Sequence, residues 1–416
     1  MELIGFVASR KWARLVLLGI LVVGLVQFQV PLAYSSHGPL VVPSLQYPTI
    51  QSAVNDAHAG DAILVSPGTY SENVVVTKSV SLVGASRDST VIDAGGSGPG
   101  INITGASAVL VSGFSVMDSG FYNGVEVSSS SNVSIYRNRV QAGAQVYGVF
   151  VFNSTSVRLI GNEFAGNIHG ARIQSGGSNL VQANNATGNT LGVSVFLSAG
   201  NKIVDNLLRL GEVGLWLGDG SAGTVVARNR IANNTVFGVN LINSGGHFIV
   251  DNSIENNTST PPAIPAEGVN IQNSTQNTLH HNNIRFNDVQ VFGVRSPGDI
   301  TGNVWNDGSE GNFWGDYAGL DDGSGGRPAG DGVGDTLIPH PCPLAGQPCS
   351  ASGPPGVDNY PLMNRVLLAS WNVTATARPL SGLALLQVSF SGLVSGGSPR
   401  SSGTRRSPHQ RVWSPA

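Results

Sequence analysis

Apolar and polar residues alternate in short segments along most of the chain, and a glycine stands before many of these segments. Period-two alternation is typical of β-strands with one buried face. Seven copies of a Gly-x-y-z motif share the pattern and begin at Gly124, Gly148, Gly170, Gly192, Gly214, Gly238 and Gly268. The copies lie 24, 22, 22, 22, 24 and 30 residues apart. A period near 22 with about three short strands per repeat predicts a parallel β-solenoid.

A second motif, x-Asn-x-apolar, runs in step with the first, and its asparagines are Asn138, Asn162, Asn184, Asn206, Asn229, Asn252, Asn282 and Asn303. The long interval in each series contains the Pro-rich segment 258–265, which we expect to be a surface loop. We place these asparagines at turns, because Asn tolerates left-handed backbone geometry. Stacked in register, their amides should hydrogen-bond from coil to coil.

The Gly-x-y-z motif also predicts side-chain direction, because successive strand residues point to opposite sides of a sheet. Residues x and z should face the core, as in the pairs Val125/Val127, Val149/Val151, Val193/Val195 and Leu215/Leu217. Residue y should face outward, and these residues are Glu126, Phe150, Arg172, Ser194, Trp216, Asn240 and Asn270. On this register an Asp at position 193 should be costly, whereas an Asp at position 194 should cost little.

Aromatic and charged residues recur at the outward positions. We define the aromatic face as Glu126, Phe150, Phe152, Arg172, Phe196 and Trp216. Aromatic rings stack on sugar rings, and exposed apolar patches mark contact surfaces. The sequence therefore predicts a carbohydrate-binding surface here, with burial under a neighbouring loop as the alternative.

A short helix is predicted ahead of these coils. Thr49 can cap a helix from Ile50 to Ala59, which Gly60 and Asp61 end. Such a helix would cover the open end of the first coil, as solenoids require.

Composition narrows the class of protein. Only 11% of residues are charged, the formal net charge is −3, and Gly accounts for 55 of 416 residues. This balance argues against nucleic acid as a partner and against helical bundles.

Residues 1–33 form a predicted signal peptide, with Arg10, Lys11 and Arg14 before the apolar run 15–26. The alternative is an uncleaved N-terminal anchor, which would be the only attachment to a membrane. Either places the remainder outside the cytoplasm, in the periplasm, at the cell surface or secreted.

Several segments of the sequence also resemble those of a known family. The segments 47–54, 60–65 and 68–70 resemble the entry to pectin-lyase-like right-handed parallel β-helices, and the Asn-x-apolar coils resemble the PbH1 repeats of CASH (carbohydrate-binding and sugar-hydrolase) domains. The segments 311–317, 330–336 and 357–363 resemble the closing part of NosD-like proteins. The resemblance implies an all-β, right-handed parallel β-helix over 45–310 and an Asp/Gly-rich cap over 311–365.

The predicted cap contains two kinds of candidate site. Asp316, Asp321, Asp322, Asp331 and Asp335 lie in a Gly-rich stretch that suits Ca²⁺, with a plain Asp/Gly loop as the alternative. Cys342 and Cys349 are expected to form a disulfide outside the cytoplasm. Beyond the cap, residues 371–396 resemble a truncated PKD (polycystic-kidney-type) domain, and residues 397–416 are predicted to be a disordered tail.

No catalytic set is recognisable in the sequence. Asp205, Arg228 and Asp251 alternate in sign at one position of consecutive coils, and Arg139 and Glu163 share another, which predicts charge pairs between coils. The NosD resemblance implies copper, but soft Met ligands are scarce. His280 and His281 are adjacent and should face opposite sides of a strand, so the residues do not predict a copper site.

The favoured function is a non-catalytic β-helix that binds polysaccharide or another envelope component. Two alternatives remain. One is a polysaccharide lyase or hydrolase, and the other, which the NosD resemblance implies, is an accessory factor in the maturation of an extracytoplasmic metalloenzyme.

Overall fold

The protein is a parallel β-solenoid of about eleven coils. The computed structural model describes residues 38–143, 146–260, 264–293, 302–324, 326–336 and 358–367. The predicted signal peptide, the two cysteines, the PKD-like segment and the C-terminal tail all lie outside the described residues. The described chain therefore covers the repeats and part of the predicted cap.

The described residues form one helix, α1 (Ile50–Asp56), and thirty-two short strands. The strands that precede the Gly-x-y-z repeats are β1 (Leu40–Val42), β2 (Ala62–Val65), β3 (Gly68–Ser71), β4 (Val74–Val76), β5 (Ser81–Gly84), β6 (Thr90–Asp93), β7 (Ile101–Thr104), β8 (Leu110–Ser112) and β9 (Ser115–Met117). The strands of the first four repeats are β10 (Val125–Ser128), β11 (Ser134–Tyr136), β12 (Arg139–Gln141), β13 (Tyr147–Phe152), β14 (Arg158–Ile160), β15 (Glu163–Ala165), β16 (His169–Gln174), β17 (Leu180–Gln182), β18 (Asn185–Thr187), β19 (Leu191–Phe196), β20 (Lys202–Val204) and β21 (Leu207–Arg209). The remaining strands are β22 (Val213–Gly218), β23 (Val225–Ala227), β24 (Arg230–Ala232), β25 (Phe237–Ile242), β26 (Phe248–Val250), β27 (Ser253–Glu255), β28 (Glu267–Gln272), β29 (Thr278–His280), β30 (Asn283–Arg285), β31 (Val289–Gly293) and β32 (Phe313–Trp314).

Each regular coil gives one strand to each of three parallel sheets. The first sheet runs from β1 and β2 through β5 and every third strand to β29, and the third runs from β3 through β6 to β30 and then β32. The second sheet runs from β4 through β7 to β31 and contains all the Gly-x-y-z motifs, so we call it the glycine sheet. The predicted fold is thus confirmed.

The core follows the predicted register. Val193 pairs in register with Ala171 below and Leu215 above, and all three side chains are fully buried. No coil can bury its apolar face alone, so the stack as a whole makes the core. The x and z positions named above are buried in every coil for which they were predicted.

Asparagine ladders run through the turns as predicted. Asn184 Nδ2 donates to Asn206 Oδ1 at 3.0 Å, and the same oxygen accepts the backbone N–H of Asn184 at 2.9 Å. The ladder passes from Asn138 through every predicted member to Asn282. The assignment of Asn303 to this ladder was wrong. Asn282 bonds Asn312 instead, and Asn303 accepts from Asn277 in a neighbouring ladder.

The left-handed turn residue is also displaced from its predicted place. Positive φ occurs one residue before each ladder asparagine, at Arg137, Gly161, Ala183, Asp205, Arg228, Asp251 and His281. The asparagine stabilises the turn through the hydrogen bonds of its side chain, and the residue before it adopts the left-handed backbone. His281 is one of these left-handed residues.

Helix α1 begins where predicted and ends earlier. The Thr49 side chain accepts the Ser52 N–H at 3.0 Å, and Glu72 accepts the N–H groups of Ile50 and Gln51 at 2.9 and 2.8 Å. A carboxylate at the helix N-terminus is favourable for the helix dipole. The helix ends at Asp56 rather than at Ala59, and Ala57 caps it.

A buried carboxyl group joins the two closing segments. Asp358 is fully buried and accepts from Asn312 N at 2.7 Å, from Trp314 Nε1 at 2.8 Å and from Tyr360 N at 3.1 Å. Burial raises the pKa of Asp358 to about 6, against the lowering effect of these donors. The segment 358–367 is thereby tied to the last coil.

Candidate functional site

The aromatic face lies on the outer side of the glycine sheet. Phe150, Arg172, Ser194 and Trp216 pair in register on consecutive coils, and Glu126 precedes them. Phe152, Gln174, Phe196 and Gly218 form a parallel column two residues further along each strand. The six residues that define the face therefore share one surface.

A side chain that points outward is not always exposed. The prediction that an Asp at position 194 would cost little was therefore wrong. Ser194 is 0% exposed, and Asn240 and Asn270 are also buried. Ser194 lies between the larger Arg172 and Trp216, and its hydroxyl is 2.5 Å from Nδ1 of buried His169. Long side chains on neighbouring coils cover the small ones. An Asp at position 194 should therefore be costly too.

Arg172 is held between aromatic rings. Its guanidinium lies 4.3 Å from the centroid of Phe196 and 5.3 Å from that of Tyr147. Its Nε also donates to Gln174 Oε1 at 2.9 Å. Phe196 in turn lies 5.4 Å from Trp216, centroid to centroid. Arginine and three rings thus form one connected, half-buried cluster on the aromatic face.

Gly218 makes room for two of these rings. A Cβ at this position would lie 2.7 Å from Trp216 Nε1 and 2.8 Å from Phe196 Cε1. The missing side chain lets both rings lie across the strand, with Phe196 9% exposed. The burial of Phe196 therefore comes from the cluster itself.

The other end of the aromatic face is more open. Phe152 is 38% exposed and lies 5.8 Å from Phe150, with the rings nearly parallel at 25°. Phe150 also contacts Tyr147 at 5.3 Å. Glu126 accepts from Asn123 Nδ2 at 3.0 Å. The outer side thus continues over five coils.

A third outward column, which the motif positions x, y and z do not include, contains residues that directly precede motif glycines. Its members are Tyr147, His169, Leu191, Val213, Phe237 and Glu267, and Val289 of β31 continues it by pairing with Glu267. Burial and the nearby Arg172 lower the pKa of His169 to about 3. The regular position just before each glycine was the signal that could have revealed this column.

Glu267 is the unusual member of that column. It is 7% exposed, and its Oε2 has no hydrogen-bond partner among the described residues. Burial raises the pKa of its carboxyl group to about 7. A buried carboxyl near neutrality is typical of functional sites, although structural sites also produce it.

Glu267→Gln should stabilise the protein at alkaline pH. The folded-state pKa lies above the ordinary value of 4.5, so the folded chain holds this proton more tightly than the unfolded chain. The contribution of Glu267 to stability therefore falls as pH rises from about 4.5 to about 7. We expect the variant to exceed the wild type by on the order of 3 kcal/mol at pH 8 and to match it at pH 4.

The measurement is the difference between two urea unfolding series across this pH range. The control is Glu126→Gln, which removes a carboxylate from the outer side of the same sheet. It should change the free energy of unfolding by less than about 1 kcal/mol. If the difference in unfolding free energy between Glu267→Gln and wild type did not change with pH, the carboxyl group of Glu267 would be solvated.

Two of the charge pairs that the sequence predicts between coils are present, whereas Asp251 lies 4.0 Å from His281 Nδ1 instead of pairing with Arg228. Arg228 donates to both carboxylate oxygens of Asp205, at 2.7 and 3.0 Å. Arg139 Nε donates to Glu163 Oε2 at 2.9 Å. Both carboxylates are thus held by arginines of neighbouring coils.

The predicted calcium residues bind the backbone of their own loop. Asp321 accepts the N–H groups of Gly330 and Gly332 at 2.6 and 2.8 Å, and Asp335 accepts that of Gly323 at 2.6 Å. Arg327 lies 3.2 Å from Asp335. Asp331 and Asp322 accept from Val333 and Ser324, and Asp316 lies in the same loop. No three of these carboxylates converge within the described part of the chain, and calcium binding stays a prediction.

His280 and His281 meet, contrary to the sequence prediction. Their Nδ1 atoms are 3.1 Å apart, because strand β29 ends at His280 and His281 adopts a positive φ of 56°. The left-handed residue breaks the alternation that would have separated the rings. Asp307 completes a group whose ligand atoms all lie within 4.8 Å of one another. Burial, with His281 nearby, lowers the pKa of His280 to about 4.

The chain matches a known protein family. The family described as "Periplasmic copper-binding protein (NosD)" matches residues 68–319, more than half of the chain. The chain belongs to the NosD family. The part that matches NosD contains the whole aromatic face and the two histidines, whereas helix α1 and the segment around Asp358 lie outside it.

Among curated proteins, this NosD-family chain is similar to a cell surface glycoprotein of Methanothermus fervidus. The two are 26% identical over 316 residues, which cover 65% of this chain and 51% of that protein. The chain thus spans about half the length of this relative.

Solved structures with related folds include the A-module of the mannuronan C-5 epimerase AlgE4 of Azotobacter vinelandii. It is 18% identical with a TM-score of 0.44, and the match covers 64% of this chain and 89% of that chain. The pectate lyase Pel9A is 16% identical with a TM-score of 0.44, covering 65% and 80%.

The described part of the NosD-family chain has no helix suited to crossing a membrane, since α1 has only seven residues.

Proposed function

We propose that this NosD-family protein is an extracytoplasmic β-helix that binds an acidic polysaccharide on its aromatic face. One observation carries the proposal: Arg172 is held between Tyr147 and Phe196, and Trp216 continues the cluster onto the next coil. Rings offer apolar surface to the C–H face of a sugar, and a guanidinium binds carboxylates.

The dimensions of the face suit a chain rather than a single sugar. Phe150 and Trp216 are three coils apart, or about 14 Å at about 4.8 Å per coil. Two or three sugar residues of an extended chain span that distance. Arg172 lies between these aromatic ends, where a uronate carboxylate would reach it.

The location of the protein is inferred from three observations. The family is described as periplasmic, the similar Methanothermus protein as a cell surface protein, and the first residues resemble an export signal. The proposed ligand is therefore a polymer outside the cytoplasm.

Binding without catalysis is favoured by the positions of the carboxyl groups. Glycoside hydrolysis uses two carboxyl groups within about 10 Å of each other. The three outward columns of the described glycine sheet carry two, Glu126 and Glu267, and they are six coils or about 29 Å apart. The two cannot act on one glycosidic bond.

Catalysis is nevertheless the second candidate, because of Glu267. A carboxyl group with a pKa of about 7 suits general acid–base chemistry at neutral pH. Glu267 lies two coils beyond Trp216 on the same outer side. The alternative therefore predicts turnover that Glu267→Gln abolishes.

Affinity electrophoresis and calorimetry with acidic and neutral polysaccharides test the proposal. We expect an acidic polymer to bind and Arg172→Gln to weaken that binding at least tenfold, because the variant removes the cation from the cluster. Arg209→Gln, on strand β21 of the third sheet, makes the same change in net charge and should bind like the wild type.

Each other outcome has a defined meaning. Equal loss in both arginine variants would indicate unspecific attraction, and binding of no polymer would contradict the proposal. Unsaturated or reducing-end products would favour the catalytic alternative.

A further inference from the structure

The outer side of the glycine sheet changes in chemistry beyond Trp216. The column that carries Trp216 continues over the next three coils as Asn240, Asn270 and Phe292. Trp216 and Phe292 are half-buried, whereas Asn240 and Asn270 are 1% and 0% exposed. Two buried amides, which we call the amide pair, thus lie between two rings on the same outer side as the proposed glycan site.

The amide pair has unused hydrogen-bonding capacity. Asn270 Nδ2 donates to Asn240 Oδ1 at 2.7 Å, which orients both side chains. Asn270 Oδ1 is buried and has no hydrogen-bond partner among the described residues. Two further atoms on this outer side are also buried and unpartnered, Oε2 of Glu267 on the same strand and Nε1 of Trp216 two coils away. A buried polar atom without a partner costs free energy, so three of them on one surface indicate a place for a ligand.

The chemistry of these atoms favours hydroxyl groups over carboxylates. Asn270 Oδ1 can only accept and Trp216 Nε1 can only donate, whereas a hydroxyl group does both. A carboxylate only accepts, so it cannot serve Asn270. The described outward columns beyond Trp216 contain no Lys or Arg, and their one acidic side chain is Glu267. A uronate carboxylate would therefore lose its water here without gaining a cation.

We propose that the amide pair and Glu267 form a second subsite, which holds an uncharged sugar residue through its hydroxyl groups. The inference rests on the proposed function, in which Arg172 binds a uronate, and it narrows the ligand to a polymer that contains both acidic and neutral sugars. Because both amides are covered in the free protein, a flanking ring, that of Trp216 or Phe292, must rotate to admit the ligand.

The spacing of the two subsites selects the kind of polymer. Arg172 and Asn270 are four coils, or about 19 Å, apart. A chain of alternating uronate and neutral residues has a register that places each kind at its subsite. A pure polyuronate has no such register.

Glu267 strengthens the preference for a neutral sugar. Burial raises the pKa of its carboxyl group to about 7, so below that pH the group is mostly protonated and donates to a sugar hydroxyl. Above that pH the carboxylate accepts from a hydroxyl and repels a uronate. A neutral sugar is thus favoured by both forms of Glu267.

The test is calorimetry of the purified full chain with two octasaccharides, one of alternating glucuronate and glucose and one of glucuronate alone. We expect the wild type to bind the alternating octasaccharide at least fivefold more tightly, although it carries half the charge. Asn270→Ala should weaken that binding about fivefold, which corresponds to the loss of one hydrogen bond, and should leave binding of the pure glucuronate octasaccharide within twofold.

Asn273→Gly is the matched control. Asn273 Nδ2 also donates to an asparagine of the preceding coil, Asn243, at 2.9 Å, but it lies at the exposed turn that follows the same strand. Gly adopts the positive φ of 45° at this position without strain. The variant should bind both octasaccharides like the wild type, and urea midpoints confirm that each variant is folded.

The comparison of the two octasaccharides on wild type needs no variant, so it applies even if Asn270→Ala does not fold. Equal affinity for both would overturn this inference and leave the proposed function in place. A preference that folded Asn270→Ala retains, or that Asn273→Gly loses equally, would overturn it too. If neither octasaccharide binds, the proposed function fails and this inference fails with it.

Discussion

Val193→Asp should lower the free energy of unfolding by on the order of 4 kcal/mol or more. Val193 is fully buried between the apolar side chains of Ala171 and Leu215 on the adjacent coils. A carboxylate there has no partner and loses its water. The urea midpoint of the purified variant, compared with wild type, measures the effect.

Leu197→Asp is the control on the same coil. Leu197 is 58% exposed and has a φ of 48°, a backbone geometry that Asp adopts more readily than Leu. Its stability should equal or exceed that of wild type. Comparable destabilisation by both changes would mean that the strand register is wrong.

Asn184→Ala should cost on the order of 3–5 kcal/mol. Asn184 Oδ1 accepts the backbone N–H of Asn162 at 2.9 Å, and its Nδ2 donates to Leu159 O at 2.8 Å. Removal of the side chain leaves these two buried groups of the preceding coil without partners. Buried unsatisfied groups cost far more than the net gain from a hydrogen bond.

Asn185→Ala provides a nearly identical control. Asn185 is the next residue, faces outward, is half-buried, and accepts only from Thr187 Oγ1. Its loss should cost less than about 1 kcal/mol. If the two alanine variants unfold at the same urea concentration, the ladder contributes nothing to stability.

The sequence predicted the coil, its register and its core because these follow from period alone. Each Gly-x-y-z copy repeats the same inward positions, and the stack can bury them only in one register. Helix α1 was predicted from the cap at Thr49, a local signal. The NosD resemblance rested on the same repeats and on the closing motifs.

The wrong predictions concern side chains whose exposure or position depends on neighbouring coils or on a single backbone angle. Ser194 is outward but buried because Arg172 and Trp216, one coil away on either side, are large. His280 and His281 meet because of one positive φ. The spacing of Asn303 matched the period although Asn312 occupies the ladder. Glu267 stands in a column that the alternation pattern of x, y and z does not include.

The most direct test of the glycan proposal is a crystal structure with an oligosaccharide of the best-binding acidic polymer. We expect sugar rings against Phe150, Phe196 and Trp216, with a uronate carboxylate at the guanidinium of Arg172. An oligosaccharide bound to the first or third sheet, with the aromatic face unchanged, would contradict it.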